Sequence, residues 1–332
     1  MKAPDFWRTE GPLPRLLSPV SAVWTMVGRA RRATSEPYRP SVPLICVGNV
    51  VAGGTGKTPV ALALGADIKE LGLRVGFLSR GYGGRERGPL RVDPRIHDAA
   101  AVGDEPLLLA RLGTTVVARD RAAGARLLEA EGAEVIIMDD GLQNTSLAPT
   151  AALLVVDGGA GFGNGRVMPA GPLREPLADA LARVDAVAVI GRDRAGVEAA
   201  VGGSRPIVRA HLEPLPGTER FAGTRVLAFA GIGRPSKFAE SLTEAGAEVV
   251  ELAGFPDHHR WRPEEVMALV ERAQALSATP VTTEKDAVRL PRASWAMVQV
   301  FPIALVWRDP GPITRWIRRT LLQPLRVDVE PI

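Results

Sequence analysis

The stretch "VGNVVAGGTGKTPVALAL", residues 47–64, decides the fold, because a loop of small residues there joins an apolar run to a helix-like pattern. The loop ends on Gly56, Lys57 and Thr58, which match the end of the phosphate-binding pattern Gly-x4-Gly-Lys-Ser/Thr. In that pattern backbone N–H groups surround the phosphates, the lysine reaches the terminal ones and the hydroxyl binds Mg²⁺. The sequence departs from the pattern at Val51, which stands in place of the first glycine.

The surroundings of this loop favour phosphate binding over the alternative, a glycine-rich surface turn. A strand over 43–47 precedes the loop, and a helix over 57–71, ended by Gly72, follows it. Gly53 and Gly54 leave room for the close approach of a ligand. We therefore predict that the loop binds nucleotide phosphates through Val51, Ala52, Gly53, Gly54, Thr55, Gly56, Lys57 and Thr58.

Short apolar runs alternate with helical patterns along the first part of the chain. The runs cover 43–47, 74–78, 114–118, 134–138, 152–156 and 186–190. This alternation is typical of an α/β fold with a mostly parallel sheet covered by helices on both faces, as in P-loop NTPases. Ligands bind such sheets beyond the carboxyl ends of the strands. A second, smaller α/β unit is predicted to begin near residue 222, after a proline- and glycine-rich connection at 205–221.

Composition and charge exclude several classes of protein. The 332 residues carry a formal net charge of +4 without a dense basic block, which argues against a nucleic-acid partner. Cys46 is the only cysteine, so no internal disulfide is possible, and no histidine has zinc-ligand spacing with a partner. No apolar run reaches the roughly 18 residues of a transmembrane helix. We therefore expect a cytosolic chain, or one attached to a membrane from the cytosolic side.

Residues 16–32 favour membrane attachment. Ser18 could cap a helix that has Pro19 at its first position. On that helix one apolar stripe contains Leu16, Val20, Val23, Trp24 and Val27, and it is followed by Arg29, Arg31 and Arg32. Each arginine near an anionic leaflet could contribute roughly 1 kcal/mol. An ordinary helix packed on the domain explains the pattern equally well.

Paired acids follow the apolar run in "EVIIMDDGLQ". Asp139 and Asp140 come directly after a predicted buried strand, where a carboxylate associated with magnesium belongs in a P-loop protein. The alternative is a turn aspartate that caps the next element. The presence of two acids and of the P-loop upstream favours the metal site.

Three further loops carry charged residues whose position alone leaves two interpretations open. Asp104 and Glu105 in "GDEPLLLA" begin a helix, where N-terminal capping is an alternative to chemistry. Arg174 and Glu175 lie between prolines in "MPAGPLREPL", where a solvated ion pair is the alternative.

The third loop, "GFPDHHRW", places Asp257, His258 and His259 at the end of a strand of the second unit. A histidine there could carry a proton or pair with a carboxylate. Lysine is rare in this chain, so Lys57 and Lys285 indicate sites where a compact ammonium group is needed.

Taken in order, these motifs resemble the tetraacyldisaccharide 4'-kinase family, the lipid A 4'-kinases of outer-membrane biogenesis. The resemblance is carried by "GNVVAGGTGKTP", "LSRGYGG", "GDEPLLLA", "DDGLQ", "GFGNGRVMPAGPLREP", "AFAGIGRPSKF", "DHH" and "VTTEKDAVRL". The loop with Val51 is similar to the loop of this family. The ordered set covers most of the chain and is far more specific than a P-loop alone.

The resemblance implies ATP-dependent phosphorylation of the 4'-hydroxyl of a tetraacylated glucosamine disaccharide 1-phosphate, which gives lipid IVA. ATP is then the co-substrate, Mg²⁺ the metal, and the partner a lipid A precursor embedded in the inner membrane. A peripheral location on the cytoplasmic side of that membrane follows, and it favours the docking interpretation of residues 16–32. The family's fold joins the P-loop domain to a smaller α/β domain by a β-ribbon.

On this basis we predict three segments. Residues 1–32 form an N-terminal amphipathic segment that docks on the membrane, and residues 33–215 form the P-loop kinase domain. Residues 216–332 form the smaller α/β domain, and its C-terminal helix in "ITRWIRRTLLQPL" could pack back on the first domain.

The resemblance also implies roles for the residues that hold the donor. Lys57 contacts the β- and γ-phosphates and counts among the catalytic residues, and Thr58 binds Mg²⁺. Asp139, Asp140 and Glu175 are carboxylates at or near the metal.

At the acceptor, Asp104 is the expected general base, paired with His258 from the second domain, which could orient the carboxylate or share its proton. Arg174 and Glu105 are assigned to a substrate or phosphate clamp. Closure of the two domains would assemble the site and exclude water.

Two other classes of protein share some of these features. A P-loop switch ATPase or GTPase is disfavoured, because no asparagine precedes a lysine as guanine recognition requires, and Ala52 stands where dimerising ATPases carry a second lysine. A lipid-surface binding protein with a vestigial nucleotide site would leave Asp104, Asp139 and His258 without a purpose.

Overall fold

A mostly parallel sheet and a smaller parallel sheet organise the chain, and the computed structural model describes residues 4–322 of it. The larger sheet has nine strands in the order β13-β8-β7-β6-β1-β5-β2-β4-β3, and the smaller has four in the order β10-β9-β11-β12. The strands are β1 Leu44–Gly48, β2 Val75–Ser79, β3 Leu90–Arg91, β4 Thr114–Val117, β5 Val135–Asp139, β6 Ala151–Asp157, β7 Ala186–Ile190, β8 Ile207–Pro214, β9 Arg225–Ala230, β10 Glu248–Gly254, β11 Thr279–Thr283, β12 Gln299–Phe301 and β13 Ile303–Trp307.

Helices connect most of these strands. The α-helices are α1 Pro12–Ala33, α2 Lys57–Glu70, α3 Ala99–Val102, α4 Asp104–Leu109, α5 Arg121–Ala130, α6 Leu177–Leu181, α7 Val197–Val201, α8 Pro235–Glu244, α9 Pro263–Ala275, α10 Glu284–Ala287 and α11 Pro310–Leu322. Short 3₁₀ helices cover Asp5–Arg8, Thr218–Phe221 and Arg292–Met297.

The central strands are buried along their whole length, because helices cover both faces of the sheet. All five residues of β1, β2, β5 and β7 are buried, which explains why these strands have continuous apolar runs and no alternating pattern. On one face α2 packs its Leu64 and Ile68 against Phe77 and Ile137 of the sheet. The α/β fold predicted from the sequence, with a P-loop between β1 and α2, is confirmed.

The smaller sheet is entirely parallel and occupies residues 225–301. The chain then returns to the first sheet, where β13 pairs antiparallel with β8. Ile313 and Ile317 of α11 are buried in the same core cluster as α2. Within the predicted segment 216–332, the last strand and helix therefore belong structurally to the larger sheet, and residues 323–332 lie outside the described residues, as do residues 1–3.

Helix α1 begins earlier than its sequence pattern indicates. We expected Ser18 to cap the helix, but the helix begins at Pro12 after Gly11, and Pro19 lies inside it. The Ser18 hydroxyl is engaged elsewhere, since it donates to the carbonyl of Pro14 at 2.9 Å and accepts from Arg166 at 2.9 Å. Pro12 already supplies the preferred first-turn proline, so the true start lies seven residues before the predicted one. None of the helices within residues 4–322 is long and apolar enough to cross a membrane.

The burial of α2 on the sheet can be tested at Leu64, which is fully buried. Leu64→Ala should lower the free energy of unfolding by about 2–5 kcal/mol, because it removes apolar contacts and leaves a cavity. Urea denaturation measures the change. The matched control is Leu71→Ala just after the same helix, where 43% of the side chain is exposed and a change below about 1 kcal/mol is expected. Equal losses in the two variants would contradict the packing described for α2.

Candidate active site

The candidate site lies where the carboxyl ends of the two sheets meet. In the larger sheet β1 leads into the P-loop, β2 into "SRGYGG" and β5 into Asp139 and Asp140. In the smaller sheet β10 leads into the loop of His258, and β11 into Lys285. Parallel strands end on the same edge, so residues far apart in sequence are brought into one cleft.

The P-loop has the backbone conformation of an anion-binding nest. Gly53 has φ 124° and Gly56 has φ 84°, which are values that side chains with a Cβ rarely adopt. A Cβ on Gly56 would also lie 2.6 Å from Ile190, whereas a Cβ on Gly53 or Gly54 would meet no atom within 4 Å. The loop is therefore open on the side of the two adjacent glycines, where phosphate would bind.

Val51 does not occupy a position that needs glycine. It forms an antiparallel bridge with Leu173, and the N–H of Ala52 donates to the carbonyl of Pro172 at 2.8 Å. Val51, which stands in place of the usual glycine, thus has an extended backbone that pairs with the loop of Arg174. The departure from the usual pattern therefore coincides with an isolated bridge between the P-loop and a neighbouring loop.

Hydroxyl and carboxylate groups suitable for magnesium lie beside the P-loop. The Thr58 hydroxyl donates to Oδ2 of Asp139 at 2.9 Å, and Nζ of Lys57 lies 3.7 Å from Oδ1 of Asp140. Burial raises the pKa of Asp139 to about 6, and its buried Oδ1 has no hydrogen-bond partner within residues 4–322. Asp140 has φ 56°, an uncommon value for a residue with a side chain. An unsatisfied buried carboxylate oxygen next to a hydroxyl fits a hard cation such as Mg²⁺.

Arg174 and Glu175 have different surroundings. Nη1 of Arg174 lies 3.3 Å from Oδ1 of Asp140 and 3.2 Å from Oε1 of Gln143, at the edge of the proposed metal site. Glu175 is buried and pairs with Arg32 at 3.2 Å and with Arg183. Two guanidinium groups already neutralise this carboxylate.

The expectation that Glu175 is a carboxylate at or near the metal stays a prediction. Its only contact toward the site is a hydrogen bond from Nε2 of Gln143 at 3.2 Å, and none of its described contacts is with Thr58, Asp139 or Asp140. Glu175 lies one side chain away from the proposed magnesium ligands and anchors the loop that carries Arg174.

Asp104 and His258 meet across the cleft. Nδ1 of His258 lies 3.0 Å from Oδ2 of Asp104, whose side chain is only 3% exposed. His258 has φ 59°, so its backbone adopts an uncommon conformation that directs the imidazole to α4. His259 instead lies 3.2 Å from Glu265 and packs against Phe255. The structure thus brings His258, and not His259, to the predicted base.

The charges around this pair determine its protonation. Burial acts to raise the pKa of Asp104, but His258, Lys285 and Arg289 outweigh it and hold that pKa below its ordinary value. The contact with Asp104 raises the pKa of His258. Burial and the charge of Asp104 raise the pKa of Glu105 to about 7. A Glu105 carboxyl that keeps its proton near neutral pH is able to donate a hydrogen bond to a clamped phosphate or hydroxyl.

Sequence reasoning assigned no role to several residues of the site. Lys285 was indicated only by the rarity of lysine, and Arg289 and Gln143 not at all. The motifs "VTTEKDAVRL" and "DDGLQ" contain all three, so their charged and amide residues were the available signal. Their partners lie on other elements, and spacing along one chain does not specify those contacts.

Comparisons with known proteins agree on one family. The family model of tetraacyldisaccharide-1-P 4'-kinases matches residues 13–322. A tetraacyldisaccharide 4'-kinase from Rhodospirillum centenum is 51% identical over 331 residues, covering 98% of this chain and 97% of the relative. One from Paramagnetospirillum magneticum is 50% identical over 315 residues, covering 95% and 97%. LpxK from Aquifex aeolicus, solved in complex with ATP, matches with a TM-score of 0.76 and 27% identity, covering 93% of this chain and 100% of that one.

The buried carboxylate beside the P-loop predicts a pH-dependent stability. The pKa of Asp139 is raised from 3.8 to about 6, so ionisation of this group favours the unfolded state. Without divalent cations, Asp139→Asn should increase the free energy of unfolding above pH 7 by up to about 3 kcal/mol. The gain should disappear as the pH falls through 6 towards 4, because the wild-type group is then protonated when folded.

Urea denaturation in the presence of a chelator, repeated between pH 4 and 8, measures this effect. Asp309→Asn, which changes an exposed aspartate, is the control and should show no such pH-dependent gain. Added Mg²⁺ should stabilise the wild type and not Asp139→Asn. A variant less stable than the wild type at pH 8 would refute the interpretation of Asp139 as a desolvated metal ligand.

Proposed function

The chain belongs to the tetraacyldisaccharide-1-P 4'-kinase family, and we propose that Asp104, paired with His258, is the general base of its phosphoryl transfer. The reaction is the ATP-dependent phosphorylation of the 4'-hydroxyl of a tetraacylated glucosamine disaccharide 1-phosphate. The observation that supports the base is the 3.0 Å contact between Asp104 and His258 in the cleft that also contains the P-loop. The relatives are kinases, so the alternative of a switch ATPase or GTPase is not supported.

The donor end of the site binds ATP. The N–H groups of the P-loop surround its phosphates, and Lys57 neutralises the β- and γ-phosphates. Thr58, Asp139 and Asp140 would hold Mg²⁺, which when bound neutralises charge on the phosphate oxygens. Arg174, 3.3 Å from Asp140, is positioned to clamp the transferring phosphate or the 1-phosphate of the acceptor.

The acceptor end removes a proton. As the 4'-oxygen forms its bond to the γ-phosphorus, the bond from that phosphorus to the β–γ bridging oxygen breaks and ADP leaves. The hydroxyl proton passes to the Asp104 carboxylate, which is ionised at neutral pH because its pKa is low. Because Asp104 is in the first domain and His258 in the second, the base is assembled only when the domains are in contact.

The membrane contact is assigned to α1. Its stripe is exposed in the structure, with 76% of Leu16, 54% of Val20 and 60% of Val27 accessible. A contiguous apolar stripe of this kind marks an interaction surface, and the acceptor is a lipid. We infer that α1 lies in the cytoplasmic face of the inner membrane as a peripheral anchor.

The role of the base can be tested by truncating its carboxylate. Asp104→Ala should lower the turnover number by about 10²–10⁴-fold, because the hydroxyl proton then has no positioned acceptor. ATP affinity should change little, since the P-loop is untouched. The assay is ATP phosphotransfer to detergent-dispersed disaccharide 1-phosphate, and Glu240→Ala on the exposed side of α8 is the control. Unchanged turnover in Asp104→Ala would remove Asp104 from this role.

The role of α1 can be tested without deleting it, which matters because α1 also contacts the loop of Arg174. Replacing Leu16, Val20 and Val27 together by glutamine should lower partition into anionic phosphatidylglycerol vesicles at least tenfold. Co-sedimentation measures the partition. Activity on detergent-dispersed acceptor should remain within about threefold of the wild type, because these side chains face away from the site.

The control for α1 replaces Trp295 and Leu322, which are also exposed, by glutamine outside α1. This variant should sediment with vesicles as the wild type does. Equal partition of the α1 variant and the wild type would rule out the docking helix.

A further inference from the structure

Two residues of the motif "VTTEKDAVRL", Asp286 and Arg289, fix the position of the loop that carries His258. The buried carboxylate of Asp286 accepts hydrogen bonds from the Gly231 N–H at 2.9 Å and from the Trp261 indole at 3.2 Å. It also pairs with Arg289 at 2.8 Å, and Arg289 donates to the carbonyl of Gly231 at 3.0 Å. The N–H of His258 in turn donates to that same carbonyl at 3.1 Å. The loop that presents the imidazole is therefore fixed by the residues that flank Lys285.

Lys285 itself points into the active site. Its ammonium nitrogen lies 3.2 Å from Nε2 of His258 and 3.8 Å from Oδ2 of Asp104. It also lies 3.7 Å from Glu105 and 3.7 Å from Asp257. One cation from the second domain thus faces the imidazole and three carboxylates, two of which belong to α4 of the first domain.

The contact with Nε2 determines which imidazole nitrogen carries the proton. An ammonium group has only donors, so it can approach Nε2 favourably only if that nitrogen presents its lone pair. The proton of a neutral imidazole is then on Nδ1, the atom that faces Oδ2 of Asp104 at 3.0 Å. We propose that Lys285 is a positioning residue that fixes His258 in the Nδ1–H tautomer and keeps Asp104 ionised as the general base. This inference rests on the proposed function and names how its base is prepared.

The surrounding charges support this assignment. Lys285 lowers the pKa of Asp104, and it also opposes protonation of His258. Within residues 4–322, the charged groups placed against Lys285 or Asp104 are Asp104 and Glu105 of α4, Asp257 and His258 of the loop after β10, and Arg289 after α10. Tyr82 packs edge-on against the His258 ring, with 5.7 Å between the ring centroids.

Lys285 also supplies positive charge to a cluster of carboxylate and imidazole groups. Asp104, Glu105 and His258 have ligand atoms within 4.8 Å of one another, a spacing that could hold a cation. The ammonium group contacts all three of these residues, so it is already the cation of the cluster.

The tautomer of His258 determines whether this residue accepts the substrate proton or only orients the carboxylate of Asp104. With Nδ1 protonated and Nε2 occupied by Lys285, the imidazole has no lone pair with which to take the substrate proton. The proton from the 4'-hydroxyl therefore stays on Asp104 until product leaves, and His258 orients the carboxylate. His258, Lys285 and Arg289 all lie within 3.8 Å of Oδ2. This buried oxygen has no hydrogen-bond partner within residues 4–322, so the three groups stabilise the carboxylate through their charge.

The test is the pH dependence of the turnover number in Lys285→Met, a neutral side chain of similar length. Loss of the cation should raise the pKa values of Asp104 and His258, so the acid limb of the profile should move to higher pH by about one unit. On the acid limb the turnover number should then fall up to about tenfold at a given pH, and at pH 9 it should be within about threefold of the wild type. Lys285→Arg should retain the wild-type profile, and Lys237→Met on α8 is the matched control.

A second measurement does not depend on activity. The chain has only four histidines, His97, His211, His258 and His259, so ¹⁵N-histidine spectra are tractable, and His258→Gln assigns the signal. At pH 8 the wild type should show His258 with a protonated Nδ1, and Lys285→Met should show a mixture of tautomers.

The outcomes separate this inference from the proposed function. Absence of phosphotransfer by the wild type would refute the function, whereas the tautomer of His258 would still be readable. An unchanged pH profile in Lys285→Met would overturn the inference. A uniform loss of turnover at every pH would also overturn it, because such a loss indicates that Lys285 only holds the two domains together. A wild-type signal with Nε2 protonated would overturn it as well.

Discussion

The buried carboxylate of Asp104 is the constraint on which the rest of the site depends. A side chain that is 3% exposed loses most of its hydration, so the ionised form persists only if cations or donors compensate. The groups that compensate, His258, Lys285 and Arg289, all come from the smaller domain. The P-loop domain therefore contains a buried carboxylate that it cannot keep ionised by itself, and contact with the smaller domain supplies the compensating charge.

The topology makes this arrangement possible with few elements. Both sheets are parallel around their centres, so each concentrates its loops at one edge, and the two edges face each other. The larger sheet supplies the phosphate loop and the carboxylates, and the smaller supplies the imidazole and the ammonium. Strand β13 returns the chain to β8, so the smaller sheet is tied to the larger one at both of its ends. This double connection limits the ways in which the domains can move apart.

The P-loop, the buried strands and the paired acids after β5 could be predicted, because each is specified by residues close together in sequence. The start of α1 could not, since Pro12 and Pro19 are both acceptable first-turn prolines, and the Ser18 hydroxyl that would cap the later start bonds to Pro14 and Arg166 instead. The partners of Glu175 could not be predicted for a similar reason, since Arg32 and Arg183 lie on other elements. The choice of His258 depended on family resemblance until the geometry placed it beside Asp104.

The loop of Arg174 connects α1 to the P-loop. The backbone N–H of Arg174 donates to the carbonyl of Val50 at 2.6 Å, which fixes this loop to the start of the P-loop. The carbonyl of Arg174 accepts a hydrogen bond from the Trp24 indole of α1 at 3.0 Å. Arg32 of α1 binds the next residue, Glu175. A helix that rests on the bilayer as proposed would thus set the height of the phosphate donor above the lipid surface. The extended backbone at Val51 pairs with Leu173 of the same loop and is part of this connection. A glycine at position 51 would make the connection between the P-loop and the Arg174 loop more flexible.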